Sequence, residues 1–314
     1  MTNACNLKCI YCRANASDTL PNELTTEEGL MLIDELSKLK PTYFVLSGGE
    51  PLLRRDFFEL ASYAVKKGLH ISLATNGLLL DEEVATKLKD VGVKSVYVSV
   101  DGASPITNDR IRGRGSFRKA INAVEICVKS GLRTGIAMTI TKINVKDVPR
   151  MINLAMNLGV STLSFRRFKP AGRGFVNRFE LELSIKQHKE FLTLLKCKKE
   201  ELQGVLKIRY HDPLWALIDS KNYSPCVAGR SLFSIMPNGD VWACPHLPIS
   251  AGNIREKPLE QIWENSSFLK QLRNRELLRG KCSICQHKYV CGGCRSAAYA
   301  YYGDCFGTDP KCWI

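Results

Sequence analysis

The sequence predicts an α/β fold: a curved parallel sheet with helices outside, closed or partly closed as a barrel, followed by a small cysteine-rich C-terminal domain. Three observations carry that expectation. β-prone runs alternate with amphipathic helical stretches up to about residue 165, each run ends in a short polar loop, and most of the 13 cysteines fall into two arrays towards opposite ends of the 314-residue chain.

The chain opens on Cys5-Asn6-Leu7-Lys8-Cys9-Ile10-Tyr11-Cys12, three cysteines spaced C-x3-C-x2-C on one short loop. A structural metal site is closed by four protein ligands, whereas a reactive one keeps a position open, so the missing fourth ligand is informative. Thiolates select zinc, copper(I) or iron–sulfur clusters, and a cubane held by three cysteines leaves one iron free, with Tyr11 expected beside it. A zinc knuckle completed from elsewhere, or three unrelated core thiols, would show the same triplet.

Thr25 and Glu28 form a capping box, and Leu30, Leu32, Ile33 and Leu36 keep a helical period, which predicts a helix from about Thr26 to Lys40. Tyr43-Phe44-Val45-Leu46 reads as a buried parallel strand that stops at Ser47-Gly48-Gly49-Glu50-Pro51. Further strands are expected at Ile71 to Ala74, Ser95 to Val100, Gly135 to Ile140 and Thr162 to Phe165, with helices centred near Ala61, Ala85, Val124 and Asn153. Loops that follow the strands of such a sheet share one rim. Gly48-Gly49-Glu50, Thr75-Asn76-Gly77 and Ser99-Val100-Asp101-Gly102 therefore become candidate binding segments, although each alone reads as an ordinary turn.

Pro170, Gly172 and Gly174 close the repeats, and a helix from about Ile185 to Leu202 bridges to the C-terminal part. The expected organisation is a barrel over 1–180, a bridging helical segment over 181–222 and a cysteine-rich domain over 223–314. Cys127 and Cys197 fall within helical patterns and read as structural thiols. Residues Ser234 to Cys244 read as a hairpin that turns at Asn238-Gly239 and brings Cys244 back toward Cys226, and a helix is expected from about Leu259 to Asn274. Cys282-x2-Cys285-x5-Cys291-x2-Cys294 follows, then Cys305 and Cys312; on spacing alone zinc competes with iron–sulfur here.

No run of about 18 apolar residues offers a membrane span, and no basic-then-apolar lead precedes the cysteine loop. Thirteen cysteines without such a lead favour metal ligation in a reducing cytosol, so a cytoplasmic protein is expected. The net charge of +14 suits acidic partners. Arg166, Arg167, Lys169, Arg173 and Arg178 form a local concentration, and such runs are mostly solvated faces. A nucleic-acid binder is favoured by charge alone, without the interleaved basic and aromatic surface that such a protein needs.

The triplet, with Ile10-Tyr11-Cys12 in x-aromatic-C order, resembles the signature of the radical S-adenosylmethionine (SAM) enzymes. The resemblance implies a [4Fe–4S] cluster on Cys5, Cys9 and Cys12 whose open iron chelates SAM, and reductive cleavage of SAM to a 5′-deoxyadenosyl radical. It implies that Gly48, Gly49 and Glu50 bind the SAM amino group, that Asn76 joins the cofactor-binding set, and that Ser99 and Asp101 lie near the ribose and methionyl carboxylate. Asn108-Asp109-Arg110-Ile111-Arg112-Gly113 is similar to the family's H-D-x-x-R-G stretch, with Asn108 for histidine and Arg112 placed to pair with the SAM carboxylate. Only Met1-Thr2-Asn3-Ala4 precedes the loop, so the first strand of such an enzyme is expected to be short or to lie outside the sequence.

The C-terminal array resembles the SPASM extension, which carries one or two auxiliary [4Fe–4S] clusters, so the fold implied is a partial (β/α)6 TIM-like barrel with a SPASM domain. Cys282, Cys285, Cys291 and Cys312 would hold one cluster, and Cys226, Cys244 and Cys294 would contribute to another whose fourth position is Cys305 or open. Cys12-Arg13-Ala14 and the stretch from Cys291-Gly292-Gly293-Cys294-Arg295 to Asp309-Pro310 look most like the haem-pathway branch, whose enzymes modify acidic iron-porphyrinoids. Arg166, Arg167 and Arg173 are the candidate carboxylate clamps. The alternatives are a peptide or protein maturase with the same clusters, and a zinc-containing nucleic-acid binder. The partners implied are an iron-porphyrinoid or a peptide, and a reducing electron donor such as ferredoxin or flavodoxin.

Overall fold

The computed structural model describes every residue except Ser220, Asn222 and Ser224. After the cysteine loop come α1 (Thr26–Leu39), β1 (Phe44–Leu46), α2 (Phe57–Lys66), β2 (Ile71–Thr75), α3 (Glu82–Val91), β3 (Ser95–Ser99), α4 (Pro105–Arg112) and α5 (Ser116–Lys129). They are followed by β4 (Thr134–Ile140), α6 (Val148–Asn157), β5 (Thr162–Arg167), the short α7 (Arg173–Val176) and α8 (Arg178–Leu181), α9 (Ile185–Glu201) and β6 (Lys207–His211). The capping box of α1 is formed: the Glu28 N–H donates to Thr25 Oγ1 at 3.2 Å and the Thr25 N–H to Glu28 Oε2 at 2.8 Å.

The six strands pair in parallel in sequential order, each pair joined by a helical crossover. Their side chains divide by alternation into two unlike faces. Ile71, Leu73, Val96, Val98, Ile136, Met138, Leu163 and Phe165 are fully buried in the core, contributing about 1.5–3 kcal/mol each. Phe165 meets Phe191 of α9 edge to face at 5.9 Å. The registered rows on the other face are small or polar: Ser72 beside Ser95, Ser99 beside Ala137, Thr139 beside Arg166, Arg166 beside His211. A parallel sheet normally buries both faces in apolar contacts, so a polar face marks an open lumen. Curvature closes that lumen partway: Arg209 of β6 reaches Tyr97 Oη of β3 at 3.4 Å, across two intervening strands.

Two expectations are corrected. The stretch 181–222 is not only helical, because after α9 it supplies β6, which pairs with β5 as the last strand of the sheet. The single helix expected from Leu259 to Asn274 is two, α10 (Leu259–Asn265) and α11 (Ser267–Arg273), which break at Ser266, where the backbone leaves the helical region.

The C-terminal region holds β7 (Ser234–Ile235), β8 (Asp240–Trp242), β9 (Ser250–Asn253), α10 (Leu259–Asn265), α11 (Ser267–Arg273) and α12 (Arg295–Tyr302). The hairpin turns at Gly239 with φ 88°, a conformation that favours glycine. A buried network fastens this region to the sheet. Arg167 of β5 grips Asp309 through two nitrogens at 2.9 and 2.7 Å, and Asp309 in turn accepts the Cys294 N–H at 2.8 Å. Asp212 after β6 completes it, 3.4 Å from Arg167 and 2.9 Å from His188 Nε2. Among the described residues no helix is long and apolar enough to cross a membrane.

Candidate active site

The cysteine loop lies at the C-terminal rim of the sheet, held by the loops that follow the strands. Residues 1–4 run beside the end of β1, where the Met1 amine donates to Ser47 O at 3.0 Å, and the Gly49 and Glu50 N–H groups donate to Thr2 O and Ala4 O, each at 2.7 Å. That approach is what requires the two glycines: a Cβ on Gly48 would stand 2.4 Å from Thr2 O, and one on Gly49 2.2 Å from Ala4 O. Their missing side chains admit the chain's own first residues. Glu50 is fully buried and accepts from Thr75 Oγ1 at 2.8 Å, Leu52 N–H at 3.2 Å and Asn76 N–H at 2.7 Å. Burial pushes its pKa up, and those donors pull it partway back.

Asn76 joins β2 to the cysteine loop, donating to Asn6 Oδ1 at 2.7 Å and approaching Cys5 Sγ at 3.9 Å. Asp101, past the end of β3, is fully buried and accepts from Tyr11 Oη (2.7 Å), Arg112 Nη1 (2.8 Å) and the Thr139 N–H (2.7 Å). Arg112 Nη1 also reaches Tyr11 Oη at 2.7 Å, so these three residues form one triangle. Asn108 supports it from behind by accepting the Asp101 N–H at 2.8 Å and donating to Ser116 Oγ at 2.9 Å. Asn144 donates to Asp101 O at 2.9 Å. Ser99 ends β3 half-buried.

The three thiols share one neighbourhood. Burial pushes the Cys9 thiol up in pKa, Arg112 opposes that, and Cys12 and Cys5 add to it; burial likewise raises Cys5, with Cys12 among its neighbours. From the far side, Arg173 donates to Cys9 O at 3.1 Å and Ala16 O at 3.0 Å, and Asn177 to Ile10 O at 2.8 Å. Arg173 is thereby committed to backbone carbonyls and Arg167 to Asp309, which removes both from the expected carboxylate clamps. Among the described residues Arg166 has no ion-pair partner.

A family model described as the Radical SAM superfamily matches residues 1–155, and one described as the SPASM iron–sulfur cluster-binding domain matches residues 226–294. The "AdoMet-dependent heme synthase" of Methanosarcina barkeri is 34% identical over 99% of this chain and 94% of its own length. The "Mycofactocin maturase MftC" of Mycobacterium tuberculosis is also 34% identical, over 99% of this chain and 81% of its own. The chain belongs to the radical SAM superfamily. It is an enzyme that uses SAM at an iron–sulfur cluster and carries an iron–sulfur cluster-binding SPASM domain. Its fold matches that of Streptococcus suis SuiB bound to S-adenosylmethionine, with a TM-score of 0.83 and 15% identity, over 100% of this chain and 76% of that one.

The residues at the rim fit a radical SAM site. Arg112 is 6% exposed, yet its buried Nε has no partner, which costs free energy unless a ligand supplies an acceptor. Among the described residues no donor takes the Gly48 or Gly49 carbonyls. Cys5, Cys9 and Cys12 would hold the cluster, the two carbonyls would receive the SAM amine, and Arg112 Nε would face its carboxylate. When bound, the pair supplies a carbon radical able to take hydrogen from an unactivated C–H bond. Asp101 and Tyr11 keep Arg112 fixed for that contact.

In the SPASM domain the thiols fall into two neighbourhoods. Cys312 has Cys282 and Cys285 beside it, and Cys291, pushed up to about 12 chiefly by burial, has Cys282 beside it. Cys244 has Cys294 and Cys226 as neighbours. Cys305 packs in the same small apolar cluster as Cys226 and Cys244. Buried arginines lie among them: Arg295 Nη2 is 3.9 Å from Cys282 Sγ, and Arg275 donates to Cys226 O at 2.7 Å.

Between the two cysteine regions opens a cavity of about 520 Å³ lined by Arg13, Phe175, Trp242, His246 and Tyr299 among others. Arg13 stands between Cys12 and Cys244, donates to Pro245 O at 2.8 Å, and has Arg166 beside it. Lys169, half-buried, faces Cys294 and Cys244 and is kept charged by them against the effect of burial. Burial, then Lys169, Arg13 and Arg166, hold His246 well below the ordinary histidine range, and burial and the same kind of neighbours lower His211. Among the described residues no carboxylate forms an ion pair with Arg13, Arg166 or Lys169, although Asp101 acts on Arg166 and Asp212 on Lys169 from farther away. Arg13 and Lys169 were not singled out in the sequence as substrate residues, although Arg13 directly follows Cys12 and Lys169 sits in the basic run.

Proposed function

We propose that the protein modifies carboxylate-bearing side chains of an iron-porphyrinoid, most simply by oxidative decarboxylation. The carrying observation is the cavity lined by Arg13 and His246, around which Arg166 and Lys169 also gather, with none of the three cations in an ion pair with a carboxylate among the described residues. Like charges are costly to gather around one cavity, and a substrate bearing several carboxylates offsets that cost. The walls supplied by Phe175, Trp242 and Tyr299 suit the flat apolar body of such a macrocycle. The heme synthase relative, similar along the whole chain, supports the same reading.

In the proposed reaction a hydrogen atom leaves the substrate side chain, the bond to its carboxylate breaks, carbon dioxide departs and an alkene forms. One electron remains to be passed to an acceptor. The chain's own contribution is to orient the carboxylate by charge and to exclude water. We further read the thirteen free cysteines as those of a protein in a reducing compartment such as the cytosol.

Peptide modification is the second reading, favoured by the maturase relative at the same identity. Anaerobic incubation with SAM, reductant and iron-coproporphyrin decides between them by mass spectrometry. Stepwise loss of carbon dioxide supports the porphyrinoid. An unchanged porphyrinoid, although SAM is cleaved, sinks that reading.

A further inference from the structure

We infer that α7 and α8, with the surface around them, form the docking site of an acidic one-electron carrier protein that reduces the N-terminal cluster. The inference rests on the superfamily chemistry and is independent of the substrate. Val176 is 75% exposed and Phe179 77%, two large apolar side chains on a nine-residue excursion from the sheet. Arg178 lies 4.2 and 4.3 Å from the ring centres of Phe175 and Phe179, which holds a cation within the apolar surface. Exposed apolar groups gathered with cations are a common mark of a protein-binding face.

Two further observations say what binds there. The first is continuity with the cysteine loop: Arg173 N–H donates to Cys12 O at 2.9 Å, Arg173 Nε to Cys9 O and Asn177 to Ile10 O. A Cβ on Gly174 would stand 2.9 Å from Tyr11 O, so this excursion packs directly on the loop. A carrier seated on it rests on the segment that packs directly against the loop bearing the N-terminal thiols. The second is charge. Arg110, exposed and paired with Glu180 at 2.8 Å, and Lys142, which donates to Phe179 O at 2.8 Å, border the excursion. Arg114 is exposed on the loop whose Gly113 faces Leu7 of the cysteine loop. Against these cations and Arg178, Glu180 is the one acid on α7 and α8. Such a rim favours an acidic partner and gives salt-sensitive association.

The test compares two reductants in the reconstituted holoenzyme. The rate of 5′-deoxyadenosine release is measured with dithionite, which needs no docking, and with a bacterial flavodoxin kept reduced by its reductase. Val176→Glu and, separately, Arg114→Glu place negative charge on the face. The flavodoxin-driven rate is expected to fall about tenfold at low carrier concentration, with the dithionite-driven rate unchanged within about twofold. For the parent protein, raising ionic strength from about 50 to about 300 mM slows only the flavodoxin-driven reaction. Independently of turnover, the Kd for flavodoxin, read by calorimetric titration into the holoenzyme, is expected to rise about tenfold in each variant. An unchanged Kd or an unchanged flavodoxin rate in both variants overturns the inference, and so does an equal fall in rate with both reductants.

Discussion

The cysteine loop at residues 5–12 is fastened mainly through its backbone, by Arg173, Asn177 and the Ile111 carbonyl, and among the described residues the Asn76 amide and the Leu7 N–H approach the sulfur of Cys5. The C-terminal cysteines are held at the backbone too, by Asp309, Arg275 and Arg295, but more of them are also contacted at sulfur. The Gly293 N–H approaches Cys291 Sγ at 3.3 Å, the His287 N–H Cys285 Sγ at 3.4 Å, Ser296 Oγ Cys294 Sγ at 3.2 Å, and Arg295 Cys282 Sγ at 3.9 Å. Hydrogen bonds and positive charge at thiolates raise a cluster's reduction potential. We read the difference as a division of labour, in which the first region would expose a metal to a ligand and the second would hold electrons.

The largest contrast comes from deleting a ligand on each side. Cys9→Ala is expected to abolish reductive SAM cleavage, whereas Cys285→Ala retains some uncoupled 5′-deoxyadenosine release and makes no product. Both are read by anaerobic chromatography, and equal release from the Cys9 variant would break the contrast.

Next come the two buried arginine–carboxylate pairs, one per region. Arg112→Gln strands Asp101 and Arg167→Gln strands Asp309, and each is expected to cost about 3–5 kcal/mol in a denaturant melt. They differ in SAM affinity by equilibrium dialysis, which falls in the Arg112 variant and holds in the Arg167 variant. A smaller effect follows from Tyr11→Phe, which removes one hydroxyl from the triangle at a cost of about 1–2 kcal/mol. Loss of SAM affinity as complete as that of the Arg112 variant would argue against a supporting role for Tyr11.

The smallest is a pH effect confined to the interface between sheet and SPASM domain. Burial alone would raise the Asp212 pKa, but Arg167 and His188 outweigh it and hold the carboxyl below its ordinary range. The unfolded chain therefore takes up this proton first as pH falls. The stabilisation is present above the ordinary carboxylate pKa of about 3.9 and is lost below it. Asp212→Asn should lower stability at neutral pH and flatten the acid limb of a melting-temperature profile; an unchanged limb contradicts this.

How much of this was legible differs between the regions for a physical reason. Five strands showed as apolar β-prone runs, and the triplet and the Asn238-Gly239 turn are local signals. β6 was missed because Lys207, Arg209 and His211 face the lumen, so Lys-Ile-Arg-Tyr-His lacks the apolar run of a buried parallel strand. Asn265-Ser266-Ser267, residues that favour breaks, lie at the gap between α10 and α11, a signal that the single-helix expectation passed over. The triangle of Tyr11, Asp101 and Arg112 spans about a hundred residues and no local pattern encodes it. The same holds for the cavity, around which Arg13 and Lys169 gather only because the sheet curls. Arg167 and Arg166 are neighbours in sequence, yet alternation sends one to the SPASM domain and the other to the lumen.

Electron paramagnetic resonance of the reduced, reconstituted protein with and without SAM tests the division of labour most directly. The parent should show a cluster signal that changes when SAM is added, and a Cys282→Ala, Cys285→Ala variant should keep that SAM-responsive signal while losing auxiliary iron. A Cys5→Ala, Cys9→Ala, Cys12→Ala variant should show only signals indifferent to SAM. A SAM response that survives without the N-terminal cysteines, or that disappears with the C-terminal pair, would contradict the account.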